Sequence, residues 1–109
     1  MQIINRRELK RMLERDRGFV LIEALPEDEF ERGHLPFAIN VPLDDAHFAE
    51  RIREAVPEPE RDIIVYCSNA DGAASHEAAR RIEELGYVSV YEYLDGKEDW
   101  FNAENTTMQ

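Results

Sequence analysis

Four short apolar runs in the chain have the length and composition of β-strands. They cover residues 19–22, 38–41, 62–66 and 88–93. Continuous apolar runs of this length are typical of strands buried on both faces of a parallel sheet. The run at 62–66, Asp-Ile-Ile-Val-Tyr, is the most strand-like of the four, and it delivers Cys67 at its carboxyl end.

Segments with helical periodicity separate these runs. Asn5 followed by Glu8 predicts a capped helix start, and Leu9, Met12 and Leu13 repeat at helical spacing up to a stop at Gly18. Further helical segments are predicted over residues 27–32, from Asp44 or Asp45 to about 56, over 73–85 and over 96–101. Strands alternating with helices predict an α/β fold with three layers, in which helices cover both faces of a mainly parallel sheet of four or five strands.

The chain length and composition limit its organisation. With 109 residues, 43% of them hydrophobic, we expect one domain over 1–109, with a polar and frayed tail over 102–109. The start lacks the apolar core of a signal peptide, and no stretch reaches the roughly 18 apolar residues of a membrane span. The one cysteine of the chain cannot form an internal disulfide. We therefore expect a soluble, cytoplasmic protein.

The net charge of -11 narrows the choice of partners. An acidic surface repels nucleic-acid phosphates and anionic lipid headgroups, so neither nucleic acid nor a membrane is an expected partner. The same field disfavours small free anions and favours a basic partner protein. One cysteine and three scattered histidines offer no metal-ligand spacing, so no metal or other cofactor is expected.

Cys67 is the candidate for chemistry. It lies at the carboxyl end of a predicted central strand, where open parallel sheets form their ligand crevice. Small residues follow it, and their backbone N–H groups, with the dipole of the next helix, are able to hold an anion or stabilise a nucleophilic thiolate. The alternative is that Cys67 is a small apolar filler of the core, as free cysteines often are.

The order of short motifs resembles the rhodanese-like domain family. In the C-terminal half the similar segments are Tyr66-Cys67, Ser75-His76-Glu77-Ala78-Ala79, Leu85-Gly86-Tyr87 and Leu94-Asp95-Gly96-Lys97-Glu98-Asp99-Trp100. In the N-terminal half they are Leu21-Ile22-Glu23, Glu29-Phe30 and Gly33-His34-Leu35-Pro36-Phe37-Ala38-Ile39-Asn40-Val41-Pro42. The match runs in the family's order over nearly the whole chain.

This resemblance implies a sulfurtransferase or sulfur carrier. Cys67 would take a sulfane sulfur from a donor, hold it as a persulfide and pass it to a thiol or protein acceptor. A cradle of backbone donors would be formed by Ser68, Asn69, Ala70, Asp71, Gly72, Ala73 and Ala74, and Ser75 would cap or brace the following helix. The resemblance does not fix the oligomeric state, the donor or the acceptor.

The loop departs from the family pattern, in which an arginine closes a Cys-x-x-x-x-Arg segment. Cys67 to Ala74 is eight residues long and contains no arginine, while Asp71 adds a negative charge. The family's Asp-Val-Arg is Glu23-Ala24-Leu25 here, and Phe37 stands in place of a glycine. We therefore expect poor activity with thiosulfate, and a phosphatase reaction is disfavoured because the bidentate guanidinium is missing.

Three neighbours of the loop are further candidates. Glu23 ends its strand and is able to approach Cys67, where it would oppose the thiolate or accept a proton; the ordinary alternative is a hydrogen-bonded carboxylate. His34 is expected to fix its loop by hydrogen bonds rather than act as a general base, and His47 and His76 are expected on the surface. Two functions stay open: sulfur transfer through Cys67, and a catalytically inactive binding or regulatory module.

Overall fold

A central parallel sheet organises the chain. A computed structural model describes residues 1–15 and 18–107, with the backbone alone at 104–107. The strands are β1 (Gln2–Ile4), β2 (Val20–Glu23), β3 (Ile39–Asn40), β4 (Ile63–Tyr66) and β5 (Val90–Tyr93), all paired in parallel in the order β1-β5-β4-β2-β3. The helices are α1 (Arg6–Arg15), α2 (Glu27–Arg32), α3 (Phe48–Ala55), α4 (Ala74–Glu84) and α5 (Gly96–Thr107). The predicted mainly parallel α/β sheet is confirmed, with β4 at its centre.

Helices cover both faces of this sheet, which gives three layers. All four residues of β4 are fully buried. Because successive strand residues point to opposite faces, Ile63 and Val65 pack in one cluster with α3 and α4, whereas Ile64 and Tyr66 pack in the other with α1 and Trp100 of α5. Burial on both faces explains the continuous apolar run in the sequence.

The first helix begins as its sequence predicts. The Glu8 amide donates to Asn5 Oδ1 at 2.8 Å, and the Asn5 amide donates to Glu8 Oε1 at 3.0 Å. These reciprocal bonds form a capping box. The predicted stop at Gly18 falls next to residues 16 and 17, which lie outside the described residues.

Three elements differ from the sequence-based expectation. α3 begins at Phe48 rather than after a cap at Asp44 or Asp45, because the Asp45 carboxylate accepts from a backbone amide ahead of the helix. β1 was not predicted, because three residues are too few to show a period. The last helix is longer than the turn predicted over 96–101, and it includes residues 102–107, where a frayed tail was expected. No glycine or proline follows Gly96 in this helix, so each added residue gains a backbone hydrogen bond once the first turn has formed. Residues 108 and 109 lie outside the described part.

The strand order places a crevice at the carboxyl ends of β2 and β4. The chain runs outward from β2 to β3, then returns to the other side of β2 to form β4. Such a reversal leaves a gap between the loops that follow the two strands, and ligands of open α/β sheets bind there. Cys67 directly follows β4 at this point.

None of the described helices is long and apolar enough to cross a membrane.

Candidate active site

Cys67 is held at the carboxyl edge of the central strand. Its residue is 1% exposed, and it begins the loop that leads from β4 into α4. The start of α5 holds this loop by two backbone hydrogen bonds. The Lys97 amide donates to the Cys67 carbonyl, and the Glu98 amide donates to the Ser68 carbonyl, both at 2.9 Å. The position of the cysteine thus depends on backbone contacts with the last helix of the fold.

Asn69 organises the loop from within. Its Oδ1 accepts hydrogen bonds from the amides of Asp71 at 3.0 Å and Gly72 at 3.2 Å, and its Nδ2 donates to Glu98 Oε2 at 3.1 Å. An Asn side chain commonly closes a turn on itself in this way. Two of the N–H groups predicted for an anion cradle are therefore already occupied by a side chain of the same loop.

Oxygen atoms surround the sulfur. The Cys67 Sγ–H lies within hydrogen-bond distance of Ser75 Oγ at 3.3 Å, with the carbonyls of Asn69 at 3.6 Å and Gly72 at 3.9 Å farther away. These groups accept a hydrogen from a thiol. A Cβ at Gly72 would lie 3.2 Å from Sγ, so the loop packs too closely on the sulfur to accept a side chain at this position without a shift.

Ser75 links the thiol to a buried carboxylate. Ser75 lies in the first turn of α4, and its hydroxyl donates to Glu92 Oε2 at 2.7 Å. The other oxygen of Glu92 lies 3.3 Å from His76 Nδ1. Ser75 and Glu92 are fully buried, while the His76 side chain is 58% exposed. Ser75 thus joins the first turn of α4 to β5 and makes no side-chain cap, because Ala73 occupies the N-cap position.

Glu23 faces a different partner from the one considered in the sequence. Lys97 Nζ donates to Glu23 Oε2 at 2.9 Å and also to the carbonyls of Glu29 at 2.8 Å and Gly33 at 2.9 Å. The Tyr66 hydroxyl donates to Glu23 Oε1 at 2.7 Å. Burial raises the pKa of Tyr66 far above its usual range, and the Glu23 carboxylate raises it further, so the hydroxyl stays a donor. Glu23 is thus a hydrogen-bonded structural carboxylate.

The three histidines lie on the surface and differ in their contacts. His34 is exposed, its Nδ1 lies 3.0 Å from the Phe30 carbonyl, and its ring stacks on Phe30 with centroids 3.9 Å apart. It therefore fixes its loop, as expected. His47 pairs with Glu50 on the surface. His76 is largely exposed as predicted, but its contact with the buried Glu92 was not foreseen.

A shallow depression opens beside the loop. Its volume is about 310 Å³, and it is lined by Ser68, Lys97, Glu98, Phe101, Arg32, Gly33, Glu29 and Asn102. Arg32, with a side chain that is 73% exposed, brings a guanidinium to this depression and pairs there with Glu29 at 3.4 Å. Within the described residues, no group of three or more His, Cys, Asp or Glu side chains is placed to hold a metal ion.

Sequence reasoning missed two buried charged residues near the site. Glu92 and Lys97 both meet the site through residues from distant segments. A signal for Glu92 was present, because the buried Val90 two positions earlier puts Glu92 on the same inward face of the strand. Lys97 carried no such signal, since it follows Gly96 at the start of a helix.

Phe37, which stands where the family pattern has a glycine, adopts a backbone conformation that favours glycine. Its φ is 68°, the one positive value among the described non-glycine residues, and its side chain is exposed. Glycine adopts this region without steric cost. The position at which the resemblance implied a glycine is therefore one where the backbone favours glycine.

Comparison with known proteins agrees with this fold. The family model of the rhodanese-like domain matches residues 5–103. The HTH-type transcriptional regulator Rv0324 of Mycobacterium tuberculosis is 36% identical over 98 residues, which cover 89% of this chain and 40% of the regulator. Thiosulfate sulfurtransferase GlpE of Coxiella burnetii is 27% identical over 88 residues, covering 81% of this chain and 77% of that protein.

Solved structures share the same architecture. The thiosulfate sulfurtransferase of Pseudomonas aeruginosa superposes with a TM-score of 0.82 and 28% identity, covering 94% of this chain and 19% of that one. The chain thus spans less than half the length of both this enzyme and the mycobacterial regulator. With the family model matched over most of its length, the chain belongs to the rhodanese-like domain family.

Proposed function

We propose that this chain carries a sulfane sulfur as a persulfide on Cys67 and transfers it to a thiol or protein acceptor. The observation that carries the proposal is the position of Cys67: it directly follows the central strand of a rhodanese-like domain, at the carboxyl edge where open α/β sheets bind ligands. Sulfurtransferases and a sulfur carrier are among the relatives of the chain, which supports this chemistry.

The transfer takes place in two displacement steps. The Cys67 thiolate attacks the outer sulfur of a donor persulfide, so that an Sγ–S bond forms while the S–S bond of the donor breaks and its thiolate leaves. An acceptor thiolate then attacks the outer sulfur on Cys67, and the Cys67 thiolate leaves in turn. Ser68, the residue after Cys67, lines the depression beside the loop, where we propose that donor and acceptor dock.

Intact-mass measurement tests the persulfide directly. After incubation with a low-molecular-weight persulfide, we expect the protein to gain the mass of one sulfur atom and to lose it on reduction. Cys67→Ser, which changes one atom of the site, should gain nothing, because the chain has no other cysteine. A parent protein that stays unmodified under these conditions, while an arginine-containing rhodanese is loaded, would contradict the proposal.

A binding or regulatory module is the second candidate function. Two observations favour it: Cys67 is 1% exposed, and its sulfur faces oxygen acceptors rather than amide donors. The relative with the 36% match is a transcriptional regulator of which this chain spans 40%, so a similar domain occurs there within a larger protein. The persulfide experiment separates the two functions, since a purely binding module does not acquire the sulfur.

Thiosulfate is expected to be a poor donor. The loop contains no arginine, Asp71 adds a negative charge, and Asn69 occupies the amides of Asp71 and Gly72. A hydrogen bond to a charged group contributes about 1.5–3 kcal/mol, which corresponds to roughly a tenfold to hundredfold lower rate with thiosulfate than in an arginine-containing relative. Persulfide donors carry less charge and should be affected less.

Ala74, at the start of α4, allows this expectation to be tested. Ala74→Arg should recover part of the thiosulfate turnover, while Ala74→Gln, which has a long but neutral side chain, should not. Steady-state rates with thiosulfate and with a small persulfide give the comparison. Rapid thiosulfate turnover by the unmodified protein would show that the missing guanidinium is not limiting.

A further inference from the structure

The buried carboxylate of Glu92 has no Lys or Arg partner among the contacts of the described residues. Carboxylates are rarely fully buried unless they are paired with a positive charge or are used chemically. Glu92 is 0% exposed, and its carboxylate contacts a serine hydroxyl and one histidine nitrogen. Its Cα register partners on the neighbouring strands are Val65 and Ile3, and neither is titratable. The chain therefore maintains a costly buried acid directly behind the cysteine.

The polar atoms form a continuous path from the sulfur to this acid. Cys67 Sγ lies 3.3 Å from Ser75 Oγ, and Ser75 Oγ lies 2.7 Å from Glu92 Oε2. With Glu92 ionised, the carboxylate accepts the hydroxyl hydrogen, so the serine offers a lone pair to the thiol. His76 Nδ1 contacts the other carboxylate oxygen and, in the tautomer that protonates this nitrogen, donates to it.

We propose that Cys67, Ser75 and Glu92 form a proton relay, in which the Glu92 carboxylate takes the proton of the thiol through the Ser75 hydroxyl. The S–H bond breaks as a new O–H bond forms on Ser75, and the original O–H proton of Ser75 moves to Glu92 Oε2. Sulfur keeps the electron pair and becomes the thiolate. Both hydrogen bonds persist with reversed direction, because protonated Glu92 then donates to Ser75, which donates to the sulfur.

This relay removes the proton of the Cys67 thiol, which the loop residues do not do. The sulfur faces the carbonyls of Asn69 and Gly72, which favour the thiol, and residues 68–74 of the loop include no Lys or Arg. A thiolate formed by losing its proton to solvent would add another negative charge beside Glu92. Internal transfer leaves the total charge unchanged, since one negative charge moves from Glu92 to the sulfur. The use of the thiolate in sulfur transfer rests on the proposed function, whereas the experiment that tests the relay does not require sulfur transfer.

The pH dependence of alkylation distinguishes a relay from a bystander carboxylate. Iodoacetamide is small and uncharged, reacts with the thiolate and requires no sulfur donor, and the single cysteine gives a single adduct by mass. If the proton moves internally, the thiolate fraction does not depend on solvent pH as long as Cys67 and Glu92 share one proton, and we expect a nearly flat rate between about pH 6 and 8. If the proton must leave to solvent, the rate rises about tenfold for each pH unit.

Glu92→Gln and Ser75→Ala each interrupt the path at a different atom. We expect both to convert the flat profile into one that rises about tenfold per pH unit, with a rate at pH 6 at least about tenfold below the parent and recovery at high pH. Glu77→Gln is the matched control, because Glu77 lies in the first turn of the same helix but pairs with Arg80 on the surface; its profile should stay flat.

The outcomes are distinguishable from those of the proposed function. A parent rate that already rises tenfold per pH unit, or a Glu92→Gln rate above the parent at every pH, as removal of a like charge would give, overturns the relay. A uniform loss at all pH values in both variants also overturns it, because a structural defect is not restored by base. A flat parent profile without persulfide loading would instead retain the relay and reject sulfur transfer.

Discussion

Gly96→Ala is expected to destabilise the fold by about 2–5 kcal/mol. A Cβ at this position would lie 2.6 Å from the Cys67 carbonyl oxygen and from the Ser68 carbonyl carbon, and 2.7 Å from the Asn69 amide nitrogen. These are backbone atoms, so no side chain can rotate away. The φ of +75° adds about 1–2 kcal/mol for a residue with a Cβ, and the overpacking adds about 1–3 kcal/mol.

Gly86→Ala is the matched control for this effect. Gly86 also has a positive φ, of +105°, but a Cβ there would meet nothing within 4 Å. Gly86→Ala therefore measures the free-energy cost of a positive φ alone, without a steric clash between the new Cβ and the backbone. Urea unfolding of the two variants and the parent gives the free energy of unfolding from the midpoint and slope. Equal losses for the two variants would mean that the loop moves away from α5 at little cost.

Lys97→Met is expected to cost about 3–5 kcal/mol of folding stability, the range found when a buried ion pair loses one partner. The substitution keeps a long side chain but removes the ammonium group from Glu23, which is fully buried. It also leaves the carbonyls of Glu29 and Gly33 without the Nζ donor, so the contact between α5 and the segment around α2 is weakened. Urea unfolding at neutral pH measures the loss.

A second substitution separates the unpaired charge from the lost packing. Glu23→Gln combined with Lys97→Met removes the buried negative charge, while the glutamine is still able to accept from the Tyr66 hydroxyl. We expect the double variant to be more stable than Lys97→Met alone. If the double variant is no more stable, the cost comes from the unsatisfied carbonyls and not from Glu23.

The sequence contained most of the fold, because its main elements carry strong local signals. The apolar run before Cys67, the capping box of Asn5 and Glu8, and the alternation of strands and helices all predicted what the structure shows. The three-residue strand β1 carried no such signal, since its identity as a strand comes from pairing with Tyr91 to Tyr93 at the other end of the chain. Local patterns do not report a partner that is distant in sequence.

The position of the cysteine could be predicted from the sequence, whereas the hydrogen bonds around it could not. The position of Cys67 follows from the end of β4 and from the motif order, whereas the direction of its hydrogen bonds depends on how the loop folds. Asn69 takes two loop amides for itself, which composition alone does not reveal. Glu23 was considered a neighbour of the cysteine, but the buried ammonium of Lys97 is its partner instead.

The pairing of β1 with β5 has a consequence for the order in which the fold is assembled. Synthesis produces β1 first, but β5 emerges only after β2, β3 and β4 are available to pair with one another. Joining the two ends closes a loop of nearly the whole chain, whose entropic cost grows slowly with length. Until β1 docks, β5 is an edge strand with unpaired amides and carbonyls, a template for pairing with another chain. Once β1 docks it replaces β5 as the edge strand, and its three residues present a shorter unpaired edge than the four residues of β5.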